Sequence, residues 1–159
     1  MKSVVVIPAR YASTRLPGKP LAADTGKPLI QHVYEQAARA DSIDRVIVAT
    51  DDERIADAVR TFGGQVALTR TDHPTGTDRV AEVAMSLGGE LADDDVVINV
   101  QGDEPEIDPG HIDQLAALMA EQTDAAVATL ACPFAVLKGG DARDPNTVKV
   151  VLDARSRAI

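Results

Sequence analysis

The amino-acid sequence predicts an α/β protein in which helices cover both faces of a mostly parallel sheet, a three-layer α/β/α arrangement of the Rossmann-like kind. Short runs rich in β-branched residues alternate with segments of helical periodicity, as in βαβ units. Two runs, residues 4–7 and 96–98, are apolar at consecutive positions, which is typical of strands buried on both faces. No internal repeat or long linker interrupts the 159 residues, so we expect a single domain over residues 1–159.

The individual elements follow from periodicity and from residues that cap helices. Pro28 is placed to begin a first helix, which carries an apolar stripe at helical spacing from residue 30 onwards. Asp51 or Asp52 is placed to cap a second helix, and Gly63-Gly64 would end it. We expect two further helices over roughly 77–87 and 109–121, and strands over roughly 3–7, 45–50, 65–69, 95–100, 125–131 and 147–152.

We expect the end of this sequence to leave the fold short of one strand. The last predicted strand, residues 147–152, is followed by a polar, turn-like stretch, and the sequence stops at Ile159. A return strand would be expected after such a turn. We therefore expect that the C-terminal part of the fold is missing from this sequence.

Composition narrows the classes of function. The net charge of −9 and the pI near 4.7 disfavour non-specific binding to nucleic acid or to an anionic membrane. Apolar runs are too short to span a bilayer and the N-terminus lacks the apolar core of a signal peptide, so we expect a cytoplasmic protein. Cys132 is the only cysteine, which excludes an intrachain disulfide, and its apolar neighbours predict a buried position.

A basic island stands out in this acidic chain, because residues 1–20 contain no Asp or Glu. Arg10, Arg15 and Lys19 belong to the loop after the first predicted strand, at the edge where open α/β sheets bind ligands, and Ser13 adds a hydroxyl. Spaced cations of this kind suit a triphosphate or a departing pyrophosphate. The loop lacks the glycine patterns of dinucleotide-binding folds and P-loops. The alternative is a solvated surface loop.

An acidic segment follows the predicted strand 95–100. Gly102 permits a close approach of the backbone, and Asp103 would then project a carboxylate from the same sheet edge as the cationic loop. A carboxylate in that place is suited to a phosphate-bound Mg²⁺. The alternative is that Asp103 caps the following turn while Glu104 is solvated.

Two further segments at predicted strand or helix ends are ambiguous. Residues 71–79 are rich in turn and capping residues, and their backbone and hydroxyl groups could read a nucleobase. An ordinary helix N-cap by Thr75 or Thr77 explains the same residues equally well. Thr50 and Asp51, after the second predicted strand, are open to both interpretations.

Four motifs, taken in order, resemble one known family. They read IPARYASTRLPGKP at residues 7–20, ATD at 49–51, TGTDR at 75–79 and NVQGDEP at 99–105. Together they closely resemble the 3-deoxy-manno-octulosonate (Kdo) cytidylyltransferases, or CMP-Kdo synthetases, and the likeness extends over the whole chain. The resemblance implies a nucleotidyltransferase fold and transfer of CMP from CTP to the anomeric hydroxyl of Kdo. Pyrophosphate would leave, and Kdo would be activated for lipopolysaccharide assembly.

The resemblance also implies a role for each matching position. Arg10, Arg15 and Lys19 would hold the β- and γ-phosphates of CTP, and Asp103 would bind Mg²⁺, the implied cofactor. Arg10, Lys19 and Asp103 form the implied catalytic group. The other implied substrate-binding positions are Pro8 and Ala9 through their backbone, Ser13, Thr50 and Asp51, then Thr75, Gly76, Thr77 and Arg79 facing cytosine, and Gln101 facing Kdo or the ribose.

The family continues past residue 159, through a region for sugar binding and dimerisation and a late Asp of the metal site. The resemblance therefore implies CTP and Kdo as small-molecule substrates and a homodimer for the complete protein. We expect this chain alone to bind CTP weakly and to be poor at transfer.

Two alternatives to this function stay open. One is a cytidylyltransferase for another acidic sugar, such as a sialic acid or an amino analogue of Kdo. The sequence YAST of the loop at residues 11–14 favours Kdo over these acceptors. The other alternative is a nucleotide-binding module without catalysis.

Overall fold

A computed structural model of the chain describes residues 1–12, 16–133, 143–145, 147–154 and 157–158. The chain divides into two compact units, Met1–Val127 and Ala128–Ile159. The prediction of one domain over residues 1–159 stays a prediction.

Four parallel strands form the sheet of the first unit, and they lie in the order β3-β2-β1-β4. Residue Ala9 of β1 pairs with Thr50 of β2, and Val6 of β1 pairs with Asn99 of β4. Since all strands run in the same direction, their carboxyl ends share one edge. The strands are β1 (Ser3–Ala9), β2 (Arg45–Thr50), β3 (Gln65–Leu68) and β4 (Val96–Asn99).

Helices cover both faces of this sheet, which confirms the predicted α/β fold class. The helices are α1 (Leu29–Ala37), α2 (Glu53–Thr61), α3 (Gly76–Ser86) and α4 (Pro109–Glu121). On one face, Val5 and Ile7 of β1 share a core with apolar residues of α1, α2 and α4. On the other face, Val4 and Val6 share a smaller core with Val80 of α3. The apolar run of β1 is therefore buried on both sides, as predicted.

The structure decides between the capping residues that the sequence left open. Asp52 caps α2, since its Oδ1 accepts a hydrogen bond from the Arg54 amide at 3.0 Å. Thr75 caps α3 in a capping box with Asp78. Pro28 is the N-cap of α1 rather than its first helical residue.

The predicted strands over 125–131 and 147–152 are wrong for the residues that the structure describes there. Only an isolated antiparallel bridge joins Leu152 to Ala158. Val127 and Val148 are 84% and 91% exposed, so these β-branched residues pack against no neighbouring strand. A strand-like sequence forms a strand only when it has a partner and a face to bury. Cys132 is exposed, so the prediction that it is buried is also wrong.

Candidate active site at the carboxyl edge of the sheet

Three of the predicted site residues lie where β1 and β2 end side by side. Pro8 pairs with Ala49, and Ala9 pairs with Thr50, whose side chain is fully buried. Beyond β4, the Val100 amide donates to the Val6 carbonyl at 3.2 Å. This extra bond keeps the chain beside β1 for one more residue, so the exposed Gln101 leaves the sheet at the same edge.

Two glycines allow other segments to come close to Pro8. A Cβ atom on Gly102 would lie 2.8 Å from the Pro8 carbonyl oxygen, a distance that side chains do not tolerate against backbone. A Cβ on Gly76, the first residue of α3, would lie 3.3 Å from Cγ of Pro8. The motifs at β1, α3 and β4 therefore meet around Pro8, and glycine is required at the tightest of these contacts.

The cationic loop closes on itself after β1. The Gly18 amide donates to the Tyr11 carbonyl at 2.8 Å, and Gly18 has φ of +72°. Lys19 then begins a single 3₁₀ turn, Lys19–Leu21. Arg10, directly after β1, is half-buried. Ser13 and Arg15 lie outside the described residues, so their predicted roles stay predictions.

Lys19 and Asp103 form an ion pair that joins the cationic loop to the segment after β4. The Nζ atom of Lys19 lies 2.8 Å from Oδ2 of Asp103. Their side chains are 39% and 54% exposed, so solvent screens the attraction. The cation and the carboxylate that the sequence placed at one sheet edge are thus in contact, and both remain accessible to a ligand.

A second ion pair at this edge is buried. The Arg79 side chain is fully buried, and its Nη2 lies 3.0 Å from Oδ2 of Asp51, outside hydrogen-bond geometry. Its Nη1 donates to Oγ1 of Thr69. The Nε atom of Arg79 has no hydrogen-bond partner among the described residues. Solvent does not reach the Arg79 side chain. The predicted contact between Arg79 and a nucleotide stays a prediction.

The α3 side of the site is held by its cap and by one buried histidine. A hydrogen bond from Thr75 lowers the pKa of Asp78 within the capping box. Nε2 of His73 is hydrogen-bonded to the Glu82 carboxylate, which lowers the pKa of Glu82. These contacts anchor the segment before α3 and leave Thr77 exposed at the first turn.

Sequence reasoning also missed a contact between the cationic loop and α2. The Arg54 guanidinium stacks on the ring of Tyr11, with Cζ 3.3 Å from the ring centroid. Arg54 occupies an exposed face of α2, and no periodic signal distinguishes it from the other charged residues of that helix. The contact depends on how the loop folds back over α2, which the sequence pattern does not encode.

Asp103 is the residue that could hold a metal. Among the described residues, no group of three or more His, Cys, Asp or Glu side chains is arranged to hold one. A single exposed carboxylate fits a Mg²⁺ site whose remaining ligands are substrate phosphates and water. In the described part of the chain, no helix has the length and apolar character to cross a membrane.

Comparison with known proteins gives close relatives. Residues 4–159 match the family model described as Cytidylyltransferase. The chain is 57% identical over 155 residues to the 3-deoxy-manno-octulosonate cytidylyltransferase of Pseudomonas fluorescens, covering 98% of this chain and 59% of that protein. The corresponding protein of Syntrophotalea carbinolica is 53% identical over 159 residues, which cover 100% of this chain and 61% of that protein.

A solved structure agrees with these relatives. The structure of CMP:2-keto-3-deoxy-manno-octonic acid synthetase complexed with CTP superposes with a TM-score of 0.88 at 47% identity, covering 100% of this chain and 63% of that one. The resemblance based on the four motifs is therefore confirmed. The chain spans about three fifths of the length of the relatives it matches.

Proposed function

Since the chain belongs to the cytidylyltransferase family, we propose that it forms the CTP-binding part of a 3-deoxy-manno-octulosonate cytidylyltransferase. The names of relatives at 57% and 53% identity support Kdo as the acceptor. The observation that carries the proposal is the Lys19–Asp103 ion pair of 2.8 Å. It places a cation suited to phosphates beside a carboxylate suited to a metal, at the edge where α/β sheets bind ligands.

In the proposed reaction, the anomeric oxygen of Kdo attacks the α-phosphorus of CTP. The bond to the β-phosphate oxygen breaks, CMP-Kdo forms, pyrophosphate leaves, and the hydroxyl proton passes to solvent or a nearby base. No covalent intermediate with the protein is needed. The protein therefore contributes by positioning the reactants and by stabilising the charge on the leaving group.

Lys19 and Arg10 carry the stabilising charge in this proposal, and Arg15 joins them on the evidence of the sequence. When a triphosphate binds, Lys19 exchanges the Asp103 carboxylate for phosphate oxygens. An ion pair this exposed contributes no more than about 1 kcal/mol, so the exchange costs little. Asp103 is thereby released at the moment the phosphates arrive.

Asp103 would hold Mg²⁺, which we propose as the cofactor. The ion, when bound, neutralises phosphate charge and lowers the pKa of a coordinated hydroxyl. Asp103 supports this role because it lies beside Lys19 and follows β4 at the ligand-binding edge. The close approach of Gly102 to Pro8 fixes the backbone from which Asp103 projects.

The opposite side of the site would bind the nucleoside. The first amides of α3, at Gly76 and Thr77, have no partner within the helix and are available to a polar base. Pro8 and Ala9 would contact the nucleotide through their backbone, beside Thr50 and Asp51. Gln101 is exposed at the same edge and would face the ribose or Kdo.

The wider setting belongs to the same proposal. We propose a homodimer as the complete enzyme, which acts in the cytoplasm and provides an activated sugar for lipopolysaccharide assembly. Its partners would be CTP and Kdo, with no nucleic acid or membrane involved. The net charge of −9 supports the exclusion of nucleic acid.

Calorimetry with CTP and Mg²⁺ tests the nucleotide site. We expect the chain to bind CTP, and Lys19→Met to weaken this binding by about 10-fold, the effect of one charge-assisted contact. Asp103→Asn should remove the dependence of CTP binding on Mg²⁺. Lys27→Met is the matched control, because Lys27 forms an equally short exposed ion pair, 2.8 Å, with Glu35 of α1 and is not a predicted site residue. Failure to bind any nucleotide would overturn the proposal.

Pyrophosphate release with CTP and several acidic sugars tests the acceptor. We expect slow release by this chain, faster with Kdo than with a sialic acid. Release with a sialic acid alone would overturn the assignment of the acceptor. A rate typical of a complete enzyme would contradict the expectation of poor transfer.

A further inference from the structure

The ring of Tyr11 lies under the guanidinium group of Arg54, and the two side chains come from different elements. Cζ of Arg54, on α2, is 3.3 Å from the centroid of the Tyr11 ring, within the range of a cation–π contact. Tyr11 belongs to the cationic loop after β1. We call this contact the Arg54–Tyr11 stack. It attaches the loop to the first turn of α2.

Arg54 is held in place by Asp52, which is hydrogen-bonded to Thr50 at the end of β2. Its Nε donates to Oδ1 of Asp52 at 2.9 Å, and its Nη2 donates to Oδ2 at 2.6 Å. Asp52 also caps α2, and its amide donates to Oγ1 of the buried Thr50 at 3.2 Å. Because a bidentate carboxylate already neutralises Arg54, this side chain is better suited to position the loop than to bind phosphate.

Tyr11 in turn contacts Gly18, the residue before Lys19. The carbonyl of Tyr11 accepts the Gly18 amide at 2.8 Å, and a Cβ on Gly18 would lie 3.1 Å from Cε2 of the Tyr11 ring. Gly18 therefore packs directly on the ring. Lys19 is the next residue, and its Nζ lies 2.8 Å from Asp103. A continuous set of contacts runs from the end of β2 to the cation of the proposed site.

We propose that Tyr11 and Arg54 are positioning residues, which hold the closing end of the cationic loop so that Lys19 faces the β- and γ-phosphates. This inference rests on the proposed function. Neither side chain touches the substrate in this role. Loss of the stack releases Gly18 and allows Lys19 to adopt many orientations. The triphosphate then binds less tightly, while the contacts with the nucleoside are unaffected.

Titration of single variants with CTP and with CMP, both with Mg²⁺, tests the role. We expect Arg54→Met to weaken CTP binding by about 2- to 5-fold, which corresponds to the loss of one exposed cation–π contact. Tyr11→Leu should have at least that effect, because it also removes the surface on which Gly18 packs. Tyr11→Phe keeps the ring and should bind CTP as the wild type does. Affinity for CMP should stay unchanged in all three.

Arg60→Met is the matched control for Arg54→Met. Arg60 is on the same helix, is 50% exposed against 59% for Arg54, and pairs with the carboxylates of Glu53 and Asp57. We expect it to leave CTP affinity unchanged. An equal loss of CTP affinity in Arg60→Met and Arg54→Met would overturn the proposal, because removal of any positive charge from α2 would then have the same effect.

A double-mutant cycle separates positioning from direct binding. In a Lys19→Met background, Arg54→Met should have no further effect on CTP affinity, because Arg54 acts through Lys19. Losses that add fully would overturn this route of action. Amide exchange measured by NMR on the ligand-free chain gives a second readout. The Gly18 amide should exchange faster in Arg54→Met than in Arg60→Met, and equal rates would overturn the anchor.

The outcomes distinguish this inference from the proposed function. A wild-type chain that binds neither CTP nor CMP overturns both. A wild-type chain that binds CTP, together with an Arg54→Met variant whose CTP affinity or Gly18 exchange equals that of Arg60→Met, overturns the positioning role alone.

Discussion

Two ion pairs at the same sheet edge differ little in distance but strongly in burial. Lys19 and Asp103 are 2.8 Å apart, and Arg79 and Asp51 are 3.0 Å apart. The first pair is largely exposed, whereas the side chains of Arg79 and Asp51 are 0% and 19% exposed. An exposed pair can exchange partners at little cost, but a buried charge that loses its partner is strongly destabilised. We therefore assign ligand exchange to the first pair and support of the site wall to the second.

Removal of the buried cation should have the largest effect on stability. We expect Arg79→Met to lower the free energy of unfolding by about 3–5 kcal/mol, because it leaves the Asp51 carboxylate without its partner. Urea denaturation measures the change. The double variant Asp51→Asn/Arg79→Met removes the unpaired charge and should lose less than Arg79→Met alone. A loss below about 1 kcal/mol in Arg79→Met would show that the buried pair behaves like a surface pair.

A methyl group at Gly102 should have the next largest effect. Its Cβ would lie 2.8 Å from the Pro8 carbonyl, so the segment that carries Asp103 must move away from β1. We expect Gly102→Ala to cost about 1–3 kcal/mol of unfolding free energy, as overpacking does. Gly89→Ala is the control, because nothing lies within 4 Å of a Cβ there. Equal stability of the two variants would contradict the close approach seen here.

The sequence predicted the exposed pair far better than the buried one. Lys19 and Asp103 follow β1 and β4, and parallel strands bring their carboxyl ends together whatever the detailed packing. The burial of Arg79 depends on how α3 rests on the sheet, and the Arg54–Tyr11 stack depends on how the loop folds back. Neither arrangement is encoded in periodicity or capping, so both had to be seen in three dimensions.

The strand predictions also failed where the outcome depends on packing with other parts of the chain. The runs that became β1 and β2 are apolar at consecutive positions and found neighbours on both sides. Residues 147–152 have a similar β-branched content and residues 125–131 are mostly apolar, yet both segments include largely exposed valines and form no strand in the described residues. Strand formation requires a partner, and local composition does not say whether one exists.

Acid should weaken the α3 side of the site, where two carboxylates, Asp78 and Glu82, are hydrogen-bonded. Hydrogen bonds from Thr75 and His73 hold the pKa values of Asp78 and Glu82 below those of unfolded chains, which are about 3.9 for Asp and 4.3 for Glu. This contribution to stability is fully present above the unfolded pKa values. It is lost as the pH falls through the lower values of the folded protein.

Thermal unfolding followed from pH 6 to pH 3 measures this loss. We expect the melting temperature to fall below about pH 4, and Glu82→Gln to flatten the fall, since the glutamine does not titrate. Glu106→Gln, which removes an exposed carboxylate from the segment before α4, is the control and should leave the fall in melting temperature unchanged. A melting temperature that rises on acidification would contradict the lowered pKa values.

The smallest effect on stability should come from the pair that matters most for the proposed ligand. We expect Lys19→Met to change the free energy of unfolding by no more than about 1 kcal/mol, and Lys27→Met to do the same, because both lysines form exposed pairs that salt screens. Urea denaturation at low and high salt measures both. The two variants should then part in nucleotide binding, where only Lys19→Met loses affinity for CTP. A loss of stability in Lys19→Met as large as that in Arg79→Met would mean that the exposed pair is also part of the scaffold. Lys19 could not then move from Asp103 to a phosphate at the low cost that the proposed exchange requires.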